Sequence, residues 1–171
     1  MSEVHESVEI SNVSPELRRA WHPVAATGDV GDTPLRVELL GDAWVLVRIA
    51  GELRAFVDQC PHRAARLSDG CVIDDTLQCP YHGWRFDGNG QCRLVPALGP
   101  DAAVPAVGLT APAAITERYG LVWIAPDEPV CDLLPVAELD DDGLDAVWIP
   151  PVDVPAGAAQ ILDNFLDFAH F

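Results

Sequence analysis

Two short segments carry the residue types that do metal chemistry: Cys60-Pro61-His62 and Cys79-Pro80-Tyr81-His82-Gly83-Trp84. Sixteen residues separate His62 from Cys79, so each segment offers one thiolate and one imidazole from a short loop. A proline follows each cysteine, fixing the backbone and removing an N–H, which stiffens a loop that must aim two side chains at one point. Gly83 can adopt the positive φ that turns the chain away from such a site. Two loops of this kind facing one another supply two sulfurs and two nitrogens. Their natural occupant is a 2Fe–2S cluster with both cysteines on one iron and both histidines on the other. Exchanging two thiolates for neutral imidazoles removes two negative charges and eases reduction. Such centres run at roughly −150 to +300 mV, against about −400 mV for all-cysteine plant-type clusters. An imidazole edge at the surface gives an electron an exit and lets its transfer couple to a proton. The competing occupant is zinc, for which Cys2His2 ligation is common, although zinc fingers pair Cys with Cys and His with His at their own spacings. Cys71, Cys92 and Cys131 read as small buried residues, and His5 and His22 as surface or packed histidines. Trp84 reads as a packing residue beside the cluster.

The elements that must position these loops are strands. Leu35–Leu40 and Ala43–Ile49 are apolar runs split by Gly41-Asp42, and Leu53–Val57 follows a tight turn at Gly51-Glu52. Asp87-Gly88-Asn89-Gly90 is a turn, and Tyr119-Gly120 joins the runs 115–118 and 121–125. Many short strands with frequent turns predict an all-β fold, a small antiparallel barrel or sandwich. Before it, Ser14-Pro15-Glu16-Leu17 has the signature of a helix start: Ser at the N-cap, Pro at the first position, an acid in the first turn. After it, residues 126–155 hold six prolines, nine acids and no basic residue, and read as an irregular linker with an extended stretch at 146–149. Residues 160–171 have a helical pattern, with Ile161, Leu162, Phe165, Leu166 and Ala169 on one face. The expected division is an N-terminal segment 1–20, a β domain 21–126, the linker 127–157 and the start of a second domain at 158–171.

The spacing Cys-x-His-x16-Cys-x2-His resembles a Rieske 2Fe–2S domain, and the fuller context, CPHRAARLSDG and CPYHGWRFDGNGQC, resembles the Rieske ring-hydroxylating oxygenases in particular. The resemblance covers roughly residues 40–125 and implies that Cys60, His62, Cys79 and His82 ligate the cluster. Respiratory and photosynthetic Rieske proteins carry an extra Cys in each loop, paired as a disulfide; Ala65 and Tyr81 stand at the matching positions, so that brace is missing. The family also carries an N-x2-D-x2-H-x4-H segment, which Asn164, Asp167 and His170 resemble. By that resemblance His170 is the first ligand of a mononuclear Fe(II) held by a 2-His-1-carboxylate triad. Asp167 is the electron-transfer bridge between a neighbouring subunit's cluster histidine and an iron ligand, and Asn164 lines the site. The other two triad ligands would lie beyond Phe171, so mononuclear iron is expected only in the complete enzyme, and the chain reads as a fragment or split half.

What the resemblance implies is the terminal component of an O2-dependent oxygenase, a homotrimer when complete. It would draw electrons from an NAD(P)H-dependent reductase or ferredoxin and hydroxylate or demethylate an aromatic or related organic substrate. The alternative is a stand-alone Rieske ferredoxin, a carrier without catalysis. That alternative leaves the WHPVAATGDV segment, the acidic linker and the Asn-Asp-His helix unexplained.

Composition removes other classes. Of the 171 residues 49% are hydrophobic, enough for a core and too many for a disordered chain. Twenty-seven acids against ten basic residues, all of them Arg, give −17, which repels nucleic acid and anionic membranes. With no long apolar run and an acidic start lacking an apolar leader, a cytoplasmic protein is expected, its five cysteines reduced.

Overall fold

The computed structural model describes residues 14–99, 102–145, 147, 149 and 152–167. Among these, ten strands form three antiparallel sheets. The first contains β1 (His22–Ala26), β10 (Leu121–Ala125) and β9 (Ala114–Arg118), with β10 in the middle. The second is the meander β2 (Leu35–Leu39), β3 (Asp42–Ile49) and β4 (Glu52–Val57). The third is a four-stranded meander of β5 (Cys71–Ile73), β6 (Thr76–Gln78), β7 (Arg85–Phe86) and β8 (Cys92–Leu94). The all-β expectation therefore holds.

The apolar run of β3 is explained by its place between two cores. Val45, Val47 and Ile49 face one way and pack with Phe56, Leu67, Leu77 and Phe86. Leu46 faces the other way and packs with Ala55, Val122 and Ile124. A strand covered on both faces loses the alternation of a half-exposed one and reads as continuous apolar sequence.

Four hairpins close through two-residue turns whose residues both have positive φ: Leu40-Gly41, Ala50-Gly51, Asp74-Asp75 and Tyr119-Gly120. This is the backbone of type I′ turns, whose twist matches the strands they join. Two of the turns sit one residue earlier than the sequence suggested. Asp42 and Glu52 are already in strands, because glycine occupies the second turn position and not the first.

The segment Pro15–Arg19 is a single 3-10 turn with Pro15 at its start, shorter than the α-helix its capping residues suggested. Residues 127–145 contain no strand or helix, yet they are strapped to the β domain. Asp127 pairs with Arg18 at 3.1 Å, the Cys131 carbonyl accepts from Trp21 Nε1 at 3.0 Å, and Asp140 accepts from Tyr119 Oη at 2.9 Å. Tyr119 Oη in turn accepts from the Val136 amide at 2.8 Å. The extended stretch expected at 146–149 lies partly outside the described residues; Val147 and Ile149 are exposed and belong to no strand. Further on, α1 (Ala158–Leu166) is opened by Gln160 Oε1, which accepts from the Gly157 amide at 3.1 Å. It stops at Leu166, short of the expected end: Asp167 is its C-cap, with φ −85° and ψ 84°. Leu162, Phe165 and Leu166 are all exposed, so the helix has little packing to extend it.

Candidate metal centre

Cys60 and Cys79 head two loops with the same backbone plan. In the first, the Cys60 amide donates to the Ala65 carbonyl at 2.8 Å and the Ala64 amide donates to the Cys60 carbonyl at 2.9 Å. In the second, the Cys79 amide donates to the Trp84 carbonyl at 2.8 Å and the Gly83 amide to the Cys79 carbonyl at 3.1 Å. In both, the residue four after the cysteine has positive φ: 55° at Ala64 and 68° at Gly83. Each turn wraps its own cysteine, so the sulfur points inward while the following residues stand out.

The result is a polarised set of donors. Cys60 and Cys79 are each only 2% exposed and join the core around Phe56, Leu77 and Phe86. Their thiols are close enough to hydrogen-bond one another, and the His62 and Arg63 amides donate to the Cys60 sulfur. Burial, reinforced by the Cys79 sulfur, pushes the Cys60 thiol up to about 11. His62 and His82 are exposed, with ring centroids 4.8 Å apart at an interplanar angle of 61°. The Trp84 ring stacks on His62 at 4.6 Å and 10°, and Tyr81 lies 3.8 Å from the His82 ring. Desolvation, followed by the positive charges available at His82 and Arg63, holds His62 below the usual imidazole value.

This arrangement fits a dinuclear group better than a single ion. Among the described residues no three His, Cys, Asp or Glu side chains converge as one metal ion requires. The donors come instead as a sulfur pair and an imidazole pair. Amide N–H groups aimed at a sulfur are among the features that set the potential of an iron–sulfur centre.

Different elements hold the two loops. Loop 79–84 joins β6 to β7, and the pairs Gln78↔Arg85 and Leu77↔Phe86 clamp its base. Loop 60–65 lies on the crossing from the second sheet to the third, with no strand pair beneath it. There Asp58, its side chain fully buried, accepts from the Ser68 amide and hydroxyl, both at 2.7 Å, with Arg36 Nε 3.5 Å away. Neither Asp58, Ser68 nor the left-handed Ala64 was singled out by the sequence reading. An acid at the end of an apolar strand gives no sign that it will be buried.

The other candidate residues fall elsewhere. Cys92 is buried as expected, whereas Cys71 and Cys131 are exposed, which corrects that reading: Cys71 begins a short strand of the four-stranded sheet, and Cys131 lies in the linker. His22 Nε2 is 2.7 Å from the Leu17 carbonyl and so is a structural histidine. Asn164 is exposed on α1 and Asp167 is its exposed C-cap, so the helix ends between them and they do not form a continuous helical stripe. His5 and His170 lie outside the described residues.

Comparison with known proteins agrees with this geometry. The sequence profile of the Rieske [2Fe-2S] domain matches residues 20–113. The chain is 37% identical to the methylxanthine N1-demethylase NdmA of Pseudomonas putida, over 97% of this chain and 49% of that protein. It is 40% identical to the oxygenase component of dicamba O-demethylase from Stenotrophomonas maltophilia, over 66% of this chain and 33% of that protein. Among solved structures, NdmA of Pseudomonas putida CBB5 superposes with a TM-score of 0.62 at 39% identity, covering 68% of this chain and 37% of that one. Dicamba monooxygenase with non-heme iron and dicamba gives a TM-score of 0.65 at 36% identity, covering 74% and 39%. The chain belongs to the Rieske [2Fe-2S] domain family and, within it, groups with the Rieske-type oxygenase components. It spans about half the length of the first curated relatives it matches, 49% and 47%. Among the described residues no helix is long and apolar enough to cross a membrane.

Proposed function

We propose that Cys60 and Cys79 hold one iron, and His62 and His82 the other, of a 2Fe–2S cluster that serves a Rieske-type oxygenase. The observation carrying this is the pairing itself: two sulfurs buried side by side and two imidazoles exposed side by side, on loops of one backbone plan. When bound, the cluster supplies one-electron transfer at a potential well above that of an all-cysteine cluster. The chain's own residues do the rest. Cys60 and Cys79 keep the sulfur end dry, while His62 and His82 bring the imidazole end to the surface. Trp84 holds the plane of His62 by stacking on it. Asp58 ties the first loop to the strand before it.

The activity served is O2-dependent demethylation or hydroxylation of an aromatic or related organic substrate. Electrons would come from an NAD(P)H-dependent reductase, directly or through a ferredoxin. The demethylase and monooxygenase relatives support this reading, since their names describe such reactions on methylxanthines, dicamba and 3-ketosteroids. Asn164, Asp167 and His170 are assigned by the same resemblance to the far end of the route. Asp167 would bridge to a neighbouring subunit's cluster, His170 would begin the mononuclear iron site, and the complete enzyme would be a homotrimer.

The test is chemical. Anaerobically reconstituted chain should contain two irons and two acid-labile sulfides per chain, and His62→Cys or His82→Cys should move the potential towards the roughly −400 mV of all-cysteine clusters. Stoichiometric zinc without sulfide, or an unchanged potential in both variants, would refute the assignment.

A further inference from the structure

Of the 27 acids in this chain, Asp58 alone is buried among the described residues, and no basic residue is buried with it. Its side chain is fully buried and both carboxylate oxygens face donors. Oδ1 accepts from the Ser68 amide and Oδ2 from the Ser68 hydroxyl, each at 2.7 Å. An amide can only donate, and Arg36 Nε stands 3.5 Å from Oδ2, so the setting is built for a carboxylate that only accepts. Arg36 does not cancel that charge. It also pairs with Glu38 at 2.8 Å, so two acids share one base, and both Arg36 and Glu38 are exposed. Solvent screens the two outer charges and leaves the inner one.

The inner charge lies beside the sulfur end of the two Cys/His loops. Asp58 is two residues before Cys60, a span of at most about 7 Å of chain. Ser68 closes the same loop from its other end, and its neighbour Leu67 packs in one core with Cys60 and Cys79. Reducing an iron–sulfur centre adds one electron, and so one negative charge, to a site with little water around it. Net charge near such a centre is among the features that set its potential. A fixed negative charge in a dry core opposes that addition more strongly than an exposed charge at the same distance.

We propose that the charge of Asp58 holds down the reduction potential of the cluster, beyond its service as the anchor of loop 60–65. This rests on the cluster assignment above. Asp58 ligates no iron in this arrangement; it acts on the arriving electron through its field.

The test is a mediated redox titration of the reconstituted 171-residue chain with dithionite, without oxygen, followed by the visible spectrum. Asp58→Asn keeps the shape and an acceptor for Ser68 and removes the charge. It should favour the reduced form about five- to tenfold, a rise of roughly 40–60 mV. Arg36→Gln removes the screening cation and should do the reverse by about two- to threefold, a fall of roughly 20–30 mV. Asp69→Asn, an equal charge change at an exposed acid next to Ser68, should stay within about twofold of the parent. A merely loosened loop would send Asp58→Asn and Arg36→Gln in the same direction, and that result would overturn the proposal. So would a potential indifferent to Asp58→Asn, or an equal rise in Asp69→Asn. If Asp58→Asn holds no cluster, Arg36→Gln decides alone, because Arg36 is exposed and its loss leaves the Ser68 hydrogen bonds in place. An unchanged or higher potential in Arg36→Gln would then refute the field of Asp58. Failure of the cluster assignment looks different: the parent chain would take up no labile sulfide, and both proposals fall before any potential is measured.

Discussion

Residues 60–65 and 79–84 close with matching pairs of backbone hydrogen bonds, yet they are anchored by different forces. The second loop is the end of a strand pair, and the ladder of β6 and β7 fixes it. The first has no ladder beneath it, and a buried carboxylate takes the ladder's place, receiving two hydrogen bonds from Ser68. The loops also differ where the backbone turns left-handed: Gly83 does so without a side chain in the way, whereas Ala64 carries a methyl group through the same turn. A shared backbone shape therefore does not imply a shared sensitivity to mutation.

Replacing the anchor should have the largest effect. Asp58→Ala leaves the Ser68 donors and Arg36 without their acceptor and should cost about 3 kcal/mol. Amide exchange should accelerate at residues 60–68 and stay slow at 79–84; equal acceleration in both loops would mean that they stand or fall together. Gly83→Ala is next. Its φ is +68°, and a Cβ there would come within 3.1 Å of Pro96 Cγ, so denaturant unfolding should show a loss of about 1–2 kcal/mol. Smallest is Ala64→Gly, in which relief of left-handed strain is offset by the greater freedom of glycine in the unfolded chain. The net change should stay below about 0.5 kcal/mol. A loss above about 1 kcal/mol would show that the Ala64 methyl packs usefully and that the two turns are less alike than their hydrogen bonds suggest.

The donors were legible in the sequence because each loop is local: cysteine, proline and histidine lie within four residues, and no distant contact is needed to bring them together. Hairpins were legible where glycine marked them, at Gly41, Gly51 and Gly120, although the turn begins one residue before Gly41 and Gly51. The Asp74-Asp75 turn was not, since aspartate tolerates the left-handed region without announcing it. Asp58 was hidden for another reason. Its burial depends on Ser68, ten residues away, returning beneath the loop, and that is a property of the tertiary path. The end of α1 at Leu166 was missed because a periodic apolar pattern describes a face and says nothing of whether the face is covered.

Strand β3 belongs to both cores at once, with Val45, Val47 and Ile49 lining one and Leu46 the other. Its register is therefore guarded twice. Deleting a single residue within it would exchange the two linings in one stroke, sending side chains fitted to one cavity into the other. The half that carries the two Cys/His loops and the β1–β10–β9 half cannot melt independently through such a partition, so heat should unfold this β region in one cooperative step.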